Sequence, residues 1–237
     1  MTNDGEQVVD PVTGPPVLVA RELTKLYRRG PEVVHALRDV SFELLPGEVV
    51  ALMGPSGSGK TTLLNVLCGW ERPDTGTLLW HGAPIDSPVD LPWNEMAIVP
   101  QDVALIEEFS IAENIELPLR LAGTLSEDGP RPSLALIEAF GLHELSSRPP
   151  FEASLGEQQR AAIARALIAR PRLLLADEPT AHQDELWVKG VLTMLRAAAA
   201  EGTTSLLATH SEEVLEHVNR LLTIQDGVLR ESELSSR

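Results

Sequence analysis

The residues Gly54-Pro-Ser-Gly-Ser-Gly-Lys60-Thr61 carry the clearest chemistry in this chain. They match G-x-x-x-x-G-K-S/T, the pattern of a loop that cradles phosphate, and they fall between an apolar run and a helix-forming stretch, where that chemistry requires them. Gly54, Gly57 and Gly59 have no Cβ, so the backbone N–H groups of the loop can curl around an anion. Pro55, Ser56 and Ser58 complete the turn, and the helix entered at Thr61 and Thr62 adds the partial positive charge of its N-terminus. Lys60 is expected to reach the β- and γ-phosphates of a nucleotide, and the Thr61 hydroxyl to bind Mg²⁺.

A second group lies far along the chain. Leu173-Leu-Leu-Ala-Asp177-Glu178 reads as an apolar strand that ends in two carboxylates. Ligands of open α/β sheets collect at the carboxyl ends of strands. Asp177 is placed to hold a Mg²⁺ shell, and Glu178 to polarise an attacking water, a role that suits a carboxylate near a transferring phosphate.

The elements that must position these groups alternate along the sequence. Val17 to Leu23 and Ala36 to Leu44 read as strands before a Pro46-Gly47 turn, and Val49 to Met53 as a buried parallel strand. A helix follows the glycine-rich loop through about Leu67, and Thr77 to Trp80 and Ala97 to Val99 form further strands. From 102 to 170 the spacing is helical: Ile111, Ile115 and Leu119, then Leu134, Ile137 and Phe140, with a polar break from Ser126 to Pro132. Pro118 is expected to end or kink the first of these helices. Leu173 to Ala176 and Ser205 to Ala208 are buried strands, with a helix between them carrying Val188, Val191, Leu192 and Leu195 at core spacing. The result is an α/β core interrupted by a mostly helical lobe.

Composition narrows the choice further. The chain has 237 residues, 43% of them hydrophobic, enough for one large domain with a lobe. There is no apolar run long enough to span a bilayer, so no direct membrane insertion is expected. Residues 1–16 have neither the basic start nor the apolar stretch of a signal peptide and read as a flexible tail. Cys68 is the only cysteine, which excludes an internal disulfide and fits a cytoplasmic setting. A net charge of −16 argues against binding nucleic acid or an anionic membrane by general electrostatics.

Further motifs make the chain resemble the ABC (ATP-binding cassette) ATPase family. Ser154-Leu-Gly-Glu-Gln-Gln-Arg160 is similar to the family signature, usually L-S-G-G-Q/E-x-Q-R. Gln101 resembles the Q-loop residue, Pro179-Thr-Ala-His-Gln-Asp184 the D-loop, His210 the switch histidine and Tyr27 the adenine-stacking aromatic. The order and intervals match from Val17 to Gln225. The resemblance implies a P-loop NTPase core, 17–101 and 172–237, with an antiparallel β subdomain and an inserted helical subdomain, about 102–171. It implies an ATPase with ATP and Mg²⁺ as cofactors. Glu178, His210 and Gln101 would serve hydrolysis, and Thr61, Gln101 and Asp177 the metal. Ser154, Gly156 and Glu157 would face the ATP of an opposite subunit, with Asp184 in the D-loop, so that two chains sandwich two ATP molecules. Ser154 and Glu157 also form an S-x-x-E capping box, which gives them a structural use of their own; simple strand packing is the rival use of Tyr27, and the stacking role is favoured. Leu155 stands where glycine is usual, Ala153 where leucine is usual, and Gln183 replaces the leucine before Asp184.

Asn65-Val-Leu, Ile111 to Leu119 and Gly156 to Arg160 resemble the macrolide-exporter and lipoprotein-release branch. That likeness implies an integral-membrane permease as partner, a second ATPase subunit (a homodimer is favoured), a place on the inner face of the membrane through the permease, and export or extraction of a lipophilic or peptide substrate. A mechanical or regulatory module of a membrane complex, as in the cell-division relative, is the alternative. A role in DNA repair or translation fits poorly with the acidic balance, the single cassette and the lack of coiled-coil or zinc insertions.

Overall fold

The computed structural model describes residues 14–125 and 131–232. Most of the expected tail, 1–13, and most of the polar break, 126–130, lie outside the described residues.

The chain opens on a long hairpin, β1 (Leu18–Arg29) and β2 (Glu32–Leu44), then passes the Pro46-Gly47 turn into β3 (Val49–Met53). α1 (Lys60–Leu67) leads back to β4 (Thr75–Trp80), which pairs with β1, and the two-residue β5 (Ala83–Pro84) completes an antiparallel sheet ordered β2-β1-β4-β5. β1 and β2 run further than the apolar alternation predicts. Register shifts between Ala20 and Leu23, Leu23 and Lys25, and Lys25 and Leu26 slip the two-residue period and hide the second half of each strand.

The central sheet adds β6 (Met96–Val99), β7 (Leu173–Asp177), β8 (Thr204–Thr209), β9 (Arg220–Gln225) and β10 (Val228–Ser232), in the order β10-β9-β3-β8-β7-β6. β9, β3, β8, β7 and β6 are parallel, and β10 turns back on β9. β7 and β8 are buried throughout and β3 nearly so, which explains continuous apolar runs where alternation would mark a half-exposed strand. The β9–β10 hairpin was not foreseen from periodicity, although its Asp226-Gly227 turn is a strong local signal. Both residues have positive φ, 51° and 78°, as a two-residue type I′ turn demands.

Among the described residues, three α-helices lie between β6 and β7: α2 (Ile111–Leu121), α3 (Ser133–Ala139) and α4 (Leu155–Leu167). α5 (Glu185–Ala200) joins β7 to β8. Of the two outcomes expected at Pro118, an end or a kink, the helix does not end there: α2 continues to Leu121. Proline removes one backbone bond, and other bonds of the same turn compensate: the fully buried Glu116 carboxylate accepts from Ser133 Oγ on α3 at 2.6 Å and, within α2, from Arg120 Nη2 at 3.1 Å. No helix among the described residues is long and apolar enough to cross a membrane.

Two apolar cores flank the central sheet. One lies between that sheet, α1 and the antiparallel sheet, with Leu52, Leu63, Leu67 and Leu206 among its members. The other joins the opposite face to α5 and to the inserted helices, so that Ile111, Ile115 and Phe140 share one cluster with Val99, Ile163, Leu174 and Leu192. Through α4 the helical insertion is packed against β6 and this face of the sheet.

Candidate active site

The phosphate loop begins where β3 ends and closes on α1. A Cβ at Gly54 would collide with the Ile224 carbonyl, and one at Gly59, whose φ is 113°, with the Ala36 carbonyl. Only glycine fits at both positions, because β9 and β2 press on the loop from behind. The Asp226-Gly227 turn holds it from the same side, with Gly227 N–H donating to Ser58 O at 3.1 Å and Arg38 N–H to Gly227 O at 2.8 Å. Ser58 is buried, and its Oγ has no hydrogen-bond partner among the described residues. Lys60 Nζ lies across the loop, donating to Gly54 O at 2.7 Å and Pro55 O at 3.3 Å.

The acidic strand end meets the loop side on. Thr61 Oγ1 donates to Asp177 Oδ2 at 2.7 Å. Burial raises the Asp177 pKa, and the Thr61 bond works against that. Glu178 takes a left-handed backbone, φ 49°, with its N–H on Ala208 O at 2.8 Å. Its carboxylate is held at both oxygens: Oε2 accepts from Thr209 Oγ1 at 3.1 Å and Oε1 lies 2.8 Å from His210 Nδ1. His210 remains 77% exposed at the side chain against 14% for Glu178, so the histidine covers the carboxylate from the open side. The left-handed backbone is strained for a residue with a Cβ, and here it turns the carboxylate toward Thr209 and His210. Gln101 is exposed at the end of β6, two residues beyond Val99, which pairs with Ala176. It therefore stands at the same sheet edge as the two carboxylates.

A cavity of about 480 Å³ opens between the first hairpin and this loop, lined by Tyr27, His35, Gly57, Lys60, Thr61 and Thr62 among others. That is a volume suited to a small-molecule ligand. Tyr27 lies at its edge on β1, half-buried, with its hydroxyl donating to Glu71 Oε2 and hydrogen-bonded to Thr62. Burial and the Glu71 bond raise its pKa. Lys25 Nζ is 5.6 Å from the ring centroid, in cation–π range. We expect Tyr27→Ala to weaken nucleotide binding by about 1–3 kcal/mol, the worth of one base stack, and Tyr27→Trp to restore it. Calorimetric titration with ADP decides: unchanged affinity in the alanine variant reduces the ring to a prop for Glu71.

The ABC transporter family profile matches residues 37–181. The chain belongs to the ABC transporter family. It is 37% identical over 220 residues to the lipoprotein-releasing system ATP-binding protein LolD 2 of Caulobacter vibrioides, covering 90% of this chain and 96% of that protein. It is 35% identical over 219 residues to the macrolide export ATP-binding/permease protein MacB of Agrobacterium fabrum, 90% of this chain but only 34% of that longer protein. Among solved structures, a dimeric, post-hydrolysis state of the ATP-binding cassette MJ0796 bound to ADP and Pi superposes with a TM-score of 0.85 at 31% identity, covering 93% of this chain and all of that one. The chain is an ABC-class ATPase, and its α/β fold with a P-loop core is the fold of those cassettes.

The turn whose sequence resembles the ABC signature sits at the start of α4. Ser154 Oγ accepts from Glu157 N–H at 3.3 Å, and Glu157 Oε2 accepts from Ser154 N–H at 2.7 Å, a complete capping box. Ser154 is exposed, and Leu155 is 49% exposed and points away from the core. Gly156 is buried: a Cβ there would stand 2.7 Å from the His182 carbonyl, so this glycine lets α4 close on the D-loop of its own chain. Asp184 caps α5, with Oδ1 accepting from Trp187 N–H at 3.0 Å. Two contributors were missed in the sequence. Thr209 shares the Glu178 carboxylate, and Glu71 fixes Tyr27; neither belongs to a recognisable pattern, and only the fold brings each to its partner.

Proposed function

We propose that this chain is the energising subunit of a transporter that exports or extracts its substrate, working as a dimer with a separate integral-membrane permease. The observation that carries the reading is the array at one sheet edge: Lys60 over the loop, Thr61 on Asp177, and Glu178 held between Thr209 and His210. ATP fits the cavity beside Tyr27, with its phosphates on the loop N–H groups and the unpartnered Ser58 Oγ. Thr61 and Asp177 offer one hydroxyl and one carboxylate, hard oxygens without a cluster of three or more His, Cys, Asp or Glu among the described residues. Mg²⁺ suits such a pair, since it keeps several waters and binds through one or two protein oxygens and the substrate phosphates; it neutralises charge on the phosphates. Lys60 exchanges its carbonyl partners for phosphate oxygens. Glu178 takes the proton of the attacking water, while Thr209 and His210 keep its carboxylate aimed. His210, largely exposed, has room to meet the transferring phosphate.

Export or extraction is supported by the names of the relatives, a lipoprotein-releasing ATPase and a macrolide exporter. The surface offers the permease a seat. An apolar groove of about 400 Å³, lined by Trp70, Val89, Trp93, Ile98, Ile106 and Leu117, runs between core and helical insertion and includes Pro100, next to Gln101. Trp70 and Val89 are 52% and 55% exposed on it. A permease seated there would touch the core and the helical insertion together. A second copy of this chain is the favoured ATPase partner, because every catalytic position is intact and Leu155 stands clear of the fold.

Expressed with its permease, the chain is expected to fractionate with membranes and to pull down that permease; expressed without any integral partner, it is expected in the soluble fraction. Membrane association that survives loss of every integral partner overturns the reading. Recovery of a cell-wall or division protein in place of a transporter subunit favours the mechanical alternative.

A further inference from the structure

Trp187, the third residue of α5, is clasped from two sides. The Arg160 guanidinium lies 4.0 Å from its ring centroid. Gly141, at φ 63°, presses its backbone against the ring, and a Cβ there would overlap the indole. Gly190, one turn further along α5, borders the ring, and a Cβ there would meet Cε3 at 3.5 Å, an ordinary contact. Arg160 is 6% exposed and its Nε donates to Phe140 O at 2.9 Å, on the residue just before Gly141. A buried cation is costly unless its contacts are specific, and here the contacts join three separate elements: the end of α3, the middle of α4 and the start of α5.

Both ends of this clasp lead to exposed functional turns. Arg160 stands on α4 less than two turns from Ser154, and the Trp187 N–H is bonded to Asp184, the last D-loop residue. A second contact runs beside it, where Gly156 abuts the His182 carbonyl. The signature turn and the D-loop are thus registered at two points, once by backbone and once by the stack.

We propose that Trp187 is a positioning residue, whose ring, clasped by Arg160 and Gly141, locks the signature turn and the D-loop into one rigid surface that is presented to the nucleotide of a second copy. This rests on the dimeric reading above. The stack needs a planar cation and an aromatic face, so its partners are not exchangeable for residues of like charge or like hydrophobicity.

The test uses the full-length chain and four variants: Trp187→Ala, Trp187→Phe, Arg160→Lys and, as control, Ser154→Arg. ADP affinity of the monomer reports the phosphate loop alone. ATPase kcat and ATP-driven dimerisation in the Glu178→Gln background report the shared surface. Misplacement of a catalytic surface by about 1 Å costs up to about 10²-fold. We expect Trp187→Ala to lower kcat by about 10–100-fold with ADP affinity unchanged, Trp187→Phe to recover most of it, and Arg160→Lys to fall with the alanine variant. Normal kcat in Trp187→Ala overturns the inference, as does a parallel loss of ADP affinity and kcat, the mark of a merely structural role. If Trp187→Ala fails to fold, normal kcat in Arg160→Lys overturns it, and reduced kcat there beside a recovered Trp187→Phe supports it. Normal turnover in Ser154→Arg would show instead that the dimeric reading has failed.

Discussion

Glu178→Gln is expected to bind ATP normally and to lose hydrolysis by about 10²–10⁴-fold, the worth of a general base. The substitution is close to silent in shape. Glutamine preserves an oxygen for Thr209 Oγ1 and a polar group for His210 Nδ1, the partners now at 3.1 Å and 2.8 Å. It leaves the left-handed backbone at φ 49° untouched. What it removes is the capacity to take a proton. ATP should then be trapped uncleaved, and the chain should accumulate as an ATP-dependent dimer on a sizing column. Phosphate release measured in a single turnover is the direct check. Near-normal release in this variant would mean that another group activates the water and that Glu178 only anchors His210.

Ser154→Arg is expected to stop turnover almost as fully, by about 10²–10³-fold, comparable to loss of a donor aimed at developing charge. The residue is exposed and its Oγ caps α4, so loss of the cap costs only about 1 kcal/mol of stability. The larger effect comes from filling a helix N-terminus, an anion site, with a long side chain. Steady-state phosphate release from the purified complex measures it. The size of the loss also separates two assemblies. In a homodimer both sites lose their signature turn and activity collapses. In an asymmetric pair a second, different ATPase chain co-purifies in equal amount and much of the turnover survives. The same complex offers an internal control in Leu155→Gly: with Leu155 half exposed and away from the core, the homodimer should turn over at nearly its original rate.

The chemistry was more legible in the sequence than the support beneath it. The phosphate loop and the Asp177-Glu178 strand end are local patterns, and each stands where its pattern places it. Their supports are non-local. Nothing around Gly54 announces that Ile224 forbids it a side chain, and nothing around Tyr27 names Glu71 as its partner. The β9–β10 hairpin carried an Asp-Gly signal, but β9 has mixed polar and apolar residues and lacks the unbroken apolar run of β7 or β8. Pro118 reads as a helix breaker in isolation and is overruled by Glu116, whose partners Ser133 and Arg131 belong to the next helical segment. The Arg160–Trp187 stack joins residues from helices on either side of β7, and neither residue type alone predicts it.

The position of β3 bears on how the molecule is made. This strand leaves the ribosome early, yet its two sheet neighbours are β8 and β9, whose pairing begins at Ser205 and Arg220. Until those arrive, β3 has no strand on either side, and the phosphate loop that follows it lacks the Ile224 and Gly227 backbone that holds it in shape. Pairings between residues so distant in sequence form slowly and late. The nascent chain therefore carries an apolar strand and an unshaped nucleotide loop until β8 and β9 emerge, a period in which partly folded chains are prone to aggregate. Competence to bind ATP arrives only with the β9–β10 hairpin, so a chain truncated before residue 220 would present every catalytic residue and still be unable to hold the nucleotide.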